Sequence, residues 1–244
     1  MRDDAYIALH ELQNTHWWFV GGRFIYRTLI EIGLGKEAKT PRMLEIGCGS
    51  GGNLSTLSAF GPTVGLEVSS QALALIKDRP RLGLVQANAE ALPFASDSFD
   101  GVHLWAVLEH LEDDLVGLRE ARRVCRPHGS VTLQTAALPI LWSHHDEANL
   151  HKRRYLRDQL ADLLRTAQLP PILLSYQNFI VFFPTLIVRR IQHFFVRSPR
   201  YDMGMSNPWF NKIMLKILRF EAWFLKKYKF PIGVDLVAVS RVQK

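Results

Sequence analysis

The sequence predicts an α/β fold in which helices cover a mostly parallel sheet. From about Arg42 onward, short apolar runs alternate with helical stretches, as in strand–helix–strand units. A glycine-rich turn joins the first apolar run to the first of those helices. The chain has 244 residues, enough for one full α/β domain with an elaboration but short for two independent domains.

Seven apolar runs are strand candidates, and helices are expected between and around them. The strands are expected at 42–46, 63–67, 83–86, 100–105, 130–135, 172–176 and 234–242, with helices at 54–60, 71–78, 115–123 and 160–167. Residues 6–32 look helical, with a break at 16–19. We therefore expect a helical cap at 1–40, a core domain at 41–176, an insertion at 177–231 and a last strand at 232–244.

Composition narrows the class of protein. The hydrophobic fraction of 48% and the charged fraction of 22% are ordinary for a globular chain. Two cysteines, Cys48 and Cys125, exclude a disulfide scaffold and suggest a reducing compartment. The first residues lack the pattern of a secretory signal, and the longest apolar run, 179–188, is shorter than the roughly 20 residues that span a bilayer. We expect a cytoplasmic protein, with peripheral membrane contact as a variant of that expectation.

The clearest motif is the segment 44–53, in which an apolar run ends in an acid and glycines then recur at every second position. Glycine there lets the backbone turn sharply and allows a ligand to approach closely. Glu67 ends the second strand, where a carboxylate can accept hydrogen bonds from both ribose hydroxyls. The segments 88–94 and 98–113 follow in an order and spacing that chance does not easily produce.

This series of motifs resembles the class I S-adenosylmethionine-dependent methyltransferases. It is similar to the small-molecule branch that includes the ubiquinone and menaquinone biosynthesis methyltransferases. The resemblance covers roughly residues 40–137 with specific motifs and extends more loosely to about 175. It implies a Rossmann-like, seven-stranded sheet with its last strand antiparallel, S-adenosylmethionine as the cofactor, and residues 41–176 as the domain that binds it.

The resemblance also implies roles for single residues along the cofactor. Glu45 would lie near the methionine ammonium, Glu67 would hold the ribose, and Val68 would pack on one adenine face. The family usually has Asp where this chain has Asn88, and because an amide oxygen still accepts from the adenine amino group, we expect weaker binding rather than none. The remaining positions implied to line the cofactor are Gly47, Cys48, Gly49, Gly51, Asn53, Ala89, Glu90, Trp105 and Ala106. A nicotinamide-dependent dehydrogenase is disfavoured, since the turn is G-x-G-x-G and not G-x-G-x-x-G.

Histidines mark two candidate catalytic positions. His110 follows the fourth strand beside the expected methyl group, although it could equally brace the next helix. His145 and His151 follow the fifth strand, at the carboxyl edge where open α/β sheets bind ligands, and either could act as the base. A solvated loop is the alternative there. A metal site is not expected, because no tight helical ligand spacing such as H-E-x-x-H is present.

Acceptor-binding residues are expected in two places. Arg153 and Arg154, with Tyr155 beside them, would face an anionic group of the acceptor. In the cap, Trp17, Trp18 and Arg23 would close over the cofactor or acceptor, with plain packing as the alternative.

The net charge of +7 comes from one late segment. Residues 189–229 hold ten Lys or Arg and two acids, whereas the rest of the chain holds 20 basic and 21 acidic residues. Within it, 209–229 predicts a basic amphipathic helix with Trp and Phe, a type that can lie in an anionic membrane interface. A solvated lid helix is the alternative. Nucleic-acid binding is not expected, because the cofactor domain is close to neutral.

Together these features predict methyl transfer from S-adenosylmethionine to a hydroxyl, amine or carbon of a small-molecule or lipid-like acceptor. Two alternatives stay open: an RNA-modifying methyltransferase, and a non-catalytic partner protein that keeps the cofactor-binding fold.

Overall fold

Seven strands form one mostly parallel sheet in the computed structural model, which describes residues 3–35, 39–76, 82–195 and 207–243. Their order is β3-β2-β1-β4-β5-β7-β6, and only β7 runs antiparallel to its neighbours. The predicted sheet and its antiparallel last strand are therefore confirmed. The strands are β1 Met43–Ile46, β2 Thr63–Glu67, β3 Leu82–Gln86, β4 Phe99–Trp105, β5 Cys125–Ala136, β6 Pro171–Gln177 and β7 Asp235–Arg241.

One strand is much longer than the sequence predicts. β5 begins at Cys125 and not at Ser130, because Phe99 of β4 pairs with Cys125 while Gly101 pairs with Ser130. The intervening residues bulge out of the ladder, and their Pro and Gly content resembles a turn in the sequence.

Nine α-helices surround the sheet in the described residues. They are α1 Asp3–Leu12, α2 Trp17–Leu34, α3 Leu54–Ser58, α4 Ser70–Ala74, α5 Asp114–Val124, α6 His144–Ala148, α7 Arg157–Thr166, α8 Phe182–Phe195 and α9 Pro208–Phe224. Two 3-10 turns, Leu108–His110 and Pro139–Leu141, follow β4 and β5. The helix expected at 71–78 is shorter, since α4 ends at Ala74; residues 77 and 78 lie outside the described part of the chain.

The helical insertion before β7 packs on the N-terminal cap. A Cβ on Gly21 of α2 would lie 2.2 Å from Leu218 Cδ1 of α9, so the two helices meet at a glycine. The Asn211 side chain accepts from the Trp17 amide at 2.7 Å and donates to the Thr15 carbonyl at 3.1 Å. These contacts fix the break between α1 and α2 beneath α9.

The structure places the site at one edge of the sheet. Parallel strands β1, β2 and β4 end at Ile46, Glu67 and Trp105, so the segments that follow them converge there. No helix among the described residues is long and apolar enough to cross a membrane.

Candidate active site

The turn after β1 depends on three glycines with left-handed backbone conformations. Gly47, Gly49 and Gly51 have φ of +70°, +52° and +86°. A Cβ at Gly47 would lie 2.4 Å from Val107 Cγ2, whereas no described atom lies within 4 Å of a Cβ built on Gly49. The backbone at Gly49 therefore faces open space that a ligand can enter.

Glu45 brings a buried carboxylate to this turn. Its side chain is only 1% exposed, and Oε1 accepts a hydrogen bond from Asn53 Nδ2 at 3.1 Å. Oε2 has no hydrogen-bond partner among the described residues. Burial raises the pKa of Glu45 to about 8; the Asn53 hydrogen bond opposes this effect and the nearby Glu67 carboxylate adds to it. A buried carboxylate oxygen without a partner fits a donor or cation supplied by a ligand.

Glu67 holds the end of β2 against the same turn. Its Oε2 accepts from the Gly49 amide at 2.9 Å, and its Oε1 accepts from the Val68 and Ser69 amides at 2.9 and 3.1 Å. Tyr6 of α1 donates its hydroxyl to Oε1 at 3.2 Å, which brings the cap onto the site. Val68 is 63% exposed and presents an apolar surface beside this carboxylate.

A cavity of about 510 Å³ joins these residues to the histidines after β4 and β5. It is large enough for a drug-sized ligand. The sequence-predicted residues that line it are Trp18, Arg23, Glu45, Gly47, Cys48, Gly49, Asn53, Glu67, Val68, Asn88, Ala89, Glu90, Trp105, Ala106, His110, His145, His151 and Arg154.

Four sequence-predicted residues are not part of the cavity lining. Gly51 lies behind the turn, where a Cβ would meet Ile76, and the Trp17 amide binds Asn211. Arg153 and Tyr155 both bind Asp114, at 2.9 and 2.7 Å. The structure therefore does not bring Arg153 or Tyr155 to a position where it would face an acceptor, because each is held against the start of α5.

At the far end of the cavity a buried aspartate organises several charged groups. Asp146 is fully buried; its Oδ1 lies 2.7 Å from Arg154 Nε and 2.8 Å from His151 Nδ1, and its Oδ2 lies 3.5 Å from Arg189 Nη1. Burial alone would raise the pKa of Asp146, but His151, Arg154 and Arg189 outweigh it and hold that pKa well below its usual range. Arg154, which the sequence analysis expects to face an anionic group of the acceptor, is thus paired with an acidic residue of the protein, Asp146.

Sequence reasoning missed Arg189, which α8 carries into this cavity. It also donates to the Leu141 carbonyl at 2.6 Å, and its side chain is 13% exposed. In the sequence it follows an apolar run and gives no sign of facing inward. Other lining residues without a predicted role include Tyr6, Gln13, Glu109, Gln177, Asn178 and Asp235.

The cavity histidines are held close to one another. The rings of His110 and His151 meet edge to face at 4.8 Å, and those of His145 and His151 at 6.2 Å. Burial lowers the pKa of both His110 and His145 to about 3. Both rings are therefore neutral at pH 7, and a neutral imidazole has one nitrogen able to accept a proton or bind a ligand.

Comparison with known proteins shows which kind of domain this part of the chain is similar to. A family described as "Methyltransferase domain" matches residues 44–133. The chain is 30% identical over 161 residues to an S-adenosylmethionine-dependent methyltransferase of Mycolicibacterium smegmatis, a match covering 64% of this chain and 60% of that protein. It is 33% identical over 123 residues to the demethylmenaquinone methyltransferase of Staphylococcus aureus, covering 47% and 50%. The match thus spans between half and two thirds of these relatives' lengths.

Solved structures share the fold at low identity. A chain from the complex between the Haloferax volcanii Trm112 methyltransferase activator and a methyltransferase superposes with a TM-score of 0.64 and 17% identity, covering 99% of this chain and 96% of that one. The phosphoethanolamine N-methyltransferase 2 of Haemonchus contortus, in complex with S-adenosyl-L-methionine, gives 0.59 and 15%, covering 90% and 52%. The resemblance predicted from the motifs is confirmed, and S-adenosylmethionine is the cofactor that family and fold indicate.

Proposed function

We propose that this chain, whose residues 44–133 match a methyltransferase domain, transfers a methyl group from S-adenosylmethionine to a hydroxyl, amine or carbon of a small-molecule or lipid-like acceptor. One observation carries the proposal. Glu45 brings a buried carboxylate, with Oε2 lacking a partner among the described residues, to a glycine turn that opens into the cavity. The methionine ammonium of the cofactor supplies the cation that such an oxygen requires.

The other lining residues fit the rest of the cofactor. Glu67 is fixed by three backbone amides and can accept further hydrogen bonds from ribose hydroxyls. Val68 offers an exposed apolar face for the adenine. The Asn88 amide oxygen accepts from the Glu90 amide at 2.9 Å, which leaves its amide nitrogen for the adenine edge. When bound, S-adenosylmethionine supplies a methyl group on a sulfonium.

The chain itself contributes positioning and proton transfer. A cavity that holds the acceptor in line with the methyl group converts the reaction to an effectively intramolecular one, which supplies much of the rate. His145 and His151 both line the cavity, and in this proposal one of them takes the proton of a hydroxyl or amine. The His110 ring, 4.8 Å from that of His151, also lines the cavity and is a further candidate for this role.

The lipid-like part of the proposal rests on helix α8. It carries Arg189 into the cavity and exposes Phe183, Ile187 and Ile191, which are 59%, 59% and 53% exposed. One helix therefore borders the cavity and also presents an apolar surface. Exposed aromatic residues continue along the basic helix α9, at Trp209, Phe220 and Trp223. Such a surface suits peripheral contact with an anionic membrane that delivers an acceptor with an apolar tail.

Transfer of labelled methyl from S-adenosylmethionine into a host-cell extract tests the activity, with Glu67→Ala as the control whose cofactor binding is weakened. Label in the organic phase supports a lipid-like acceptor, and label in aqueous small molecules makes α9 a lid. Label in RNA would favour the RNA-modifying alternative. No label above the control, together with intact cofactor binding, would favour the non-catalytic alternative.

The roles of the histidines are tested separately. His145→Ala and His151→Ala are expected to lower turnover more than they lower affinity for S-adenosylmethionine, because the residues proposed to hold the cofactor follow β1 and β2, whereas these histidines follow β5. Calorimetry and initial rates measure the two effects. Full activity in both variants would show that α6 and the segment after it take no part in catalysis.

A further inference from the structure

Glu109, His110 and His151 form a cluster that no ligand spacing in the sequence predicts. Glu109 and His110 lie in the 3-10 turn after β4, and His151 follows α6, about forty residues later. Each offers one ligand atom, and these atoms lie within 4.8 Å of one another. Glu109 is buried, and the side chain of His151 is only 10% exposed. All three line the cavity described above.

We propose that Glu109, His110 and His151 bind one divalent transition-metal ion of the Zn²⁺ type in the acceptor end of the cavity. Two imidazoles and one carboxylate are a ligand set that binds zinc and related ions and leaves positions open for a small molecule. Donors about 2.1 Å from one tetrahedral ion lie about 3.4 Å apart. The three ligand atoms lie within 4.8 Å of one another, so ion binding draws the most widely spaced of them together by roughly 1 Å.

Two of the three side chains, His151 and Glu109, are oriented by partners of their own. His151 Nδ1 lies 2.8 Å from Asp146 Oδ1, which directs the opposite nitrogen, Nε2, away from Asp146. Glu109 Oε2 accepts from Thr135 Oγ1 at 2.8 Å. Metal-binding histidines and carboxylates typically have such outer partners, which fix the tautomer and ring orientation. Polar side chains that lie close together without a shared role do not need such outer partners.

The backbone also joins the two segments that supply the ligands. The Lys152 amide donates to the Glu109 carbonyl at 2.9 Å, and the His151 amide donates to the Asp146 carbonyl at 2.9 Å. The distance between the two segments is therefore fixed by main-chain hydrogen bonds next to the ligands themselves.

The role of the ion rests on the proposed function of the cavity. With His110 and His151 bound to the ion, His145 is the histidine that remains to take the acceptor's proton. An open position on the ion would take an oxygen of the acceptor, such as a hydroxyl or carboxylate, and would orient it towards the cofactor end. The acceptor class is thereby narrowed to molecules with an oxygen donor near the methylated atom. Metal binding by the three side chains does not depend on which acceptor it is.

Equilibrium dialysis of the untagged, chelator-treated chain against Zn²⁺, followed by elemental analysis, tests the site. We expect one tightly bound ion per chain, and at least about a tenfold loss of affinity in His151→Asn and in Glu109→Gln. His151→Asn keeps an amide donor towards Asp146 while it removes Nε2, and Glu109→Gln keeps an acceptor for Thr135. His128→Asn, which replaces an exposed histidine with positive φ on β5, is the matched control and should bind as the wild type does.

Cobalt binding provides a second readout, which would not differ between the wild type and His151→Asn if His151 only stabilised the fold. Co²⁺ bound to imidazole nitrogen gives visible absorption bands, which we expect in the wild type and not in His151→Asn. Circular dichroism and calorimetry with S-adenosylmethionine on the same samples show whether each variant is folded. If the folded wild type binds S-adenosylmethionine but no metal ion, only this inference is overturned. If the folded wild type binds neither, the proposed function is overturned as well. Equal metal binding by the wild type and both variants would also refute the site.

Discussion

Replacement of Glu45 by Gln tests the cofactor site through two effects, a loss of cofactor affinity and a weaker dependence of stability on pH. The change removes the negative charge but keeps the shape and an oxygen that accepts from Asn53 Nδ2. If Glu45 holds the methionine ammonium, its loss removes a hydrogen bond to a charged group, which is worth about 1.5–3 kcal/mol. Affinity for S-adenosylmethionine should then fall by roughly tenfold or more. Isothermal titration calorimetry measures this effect.

The same substitution should change how stability depends on pH. The pKa of Glu45 is raised from 4.5 to about 8, so between these values the folded chain binds a proton that the unfolded chain has lost. Its contribution to stability is therefore present below pH 4.5 and is lost as the pH rises towards 8. Each pH unit within that window costs about 1.36 kcal/mol.

Between pH 6 and pH 8 the wild type should consequently lose about 2–3 kcal/mol more unfolding free energy than Glu45→Gln. Urea titrations at the two pH values measure this difference, and other titrating groups cancel in the comparison. Parallel pH profiles, together with unchanged cofactor affinity in the variant, would refute the assignment of Glu45 as a buried carboxylate that awaits a cation.

Three further substitutions test the site and its supports. Glu67→Ala should weaken S-adenosylmethionine binding by about 1–3 kcal/mol in calorimetry, since ribose hydroxyls lose their acceptor, and unchanged affinity would contradict the ribose placement. Gly21→Ala should lower the unfolding free energy by about 1–3 kcal/mol, because its Cβ would lie 2.2 Å from a Leu218 carbon. Gly22→Ala is the control, with its nearest neighbour at 3.9 Å, and equal thermal melts for both would disprove the close helix contact. Arg154→Met should lower the unfolding free energy in urea titrations by about 3–5 kcal/mol, because it leaves the Asp146 carboxylate buried with fewer partners. Stability recovered on adding Asp146→Asn would identify that charge as the cause. An Arg154→Met variant as stable as the wild type would argue against it.

The sheet and the cofactor end of the cavity were predictable because their signals are local. A few adjacent residues encode each of three features: a strand with Glu45 next to its last residue, a turn built from Gly47 and Gly49, and a second strand that ends in Glu67. The parallel arrangement then brings the carboxyl ends of these strands to one edge. Local sequence was less informative at β5, where the bulge before Ser130 resembles a turn until its pairing with β4 is known.

The acceptor end of the cavity depends on contacts between distant segments. The sequence groups Arg153 with Arg154, yet packing turns Arg154 towards Asp146 and Arg153 towards Asp114. It gives no indication that Arg189, from the insertion, enters the same cavity. Neighbouring residues in a loop can point to different places, and only the packed environment of each decides which is buried.

The sequence by itself determined the α/β class, the order of the strands along the chain and the residues around the glycine turn, because these follow from periodicity and from the backbone freedom of glycine. Only the tertiary structure decided that Glu109 and His110 meet His151, and that a buried Asp146 holds His151 in place. The ligands of such a cluster come from separate elements, so their proximity has no regular spacing in the chain. It arises when β4 and β5 lie side by side and the segments after them fold over the same edge of the sheet.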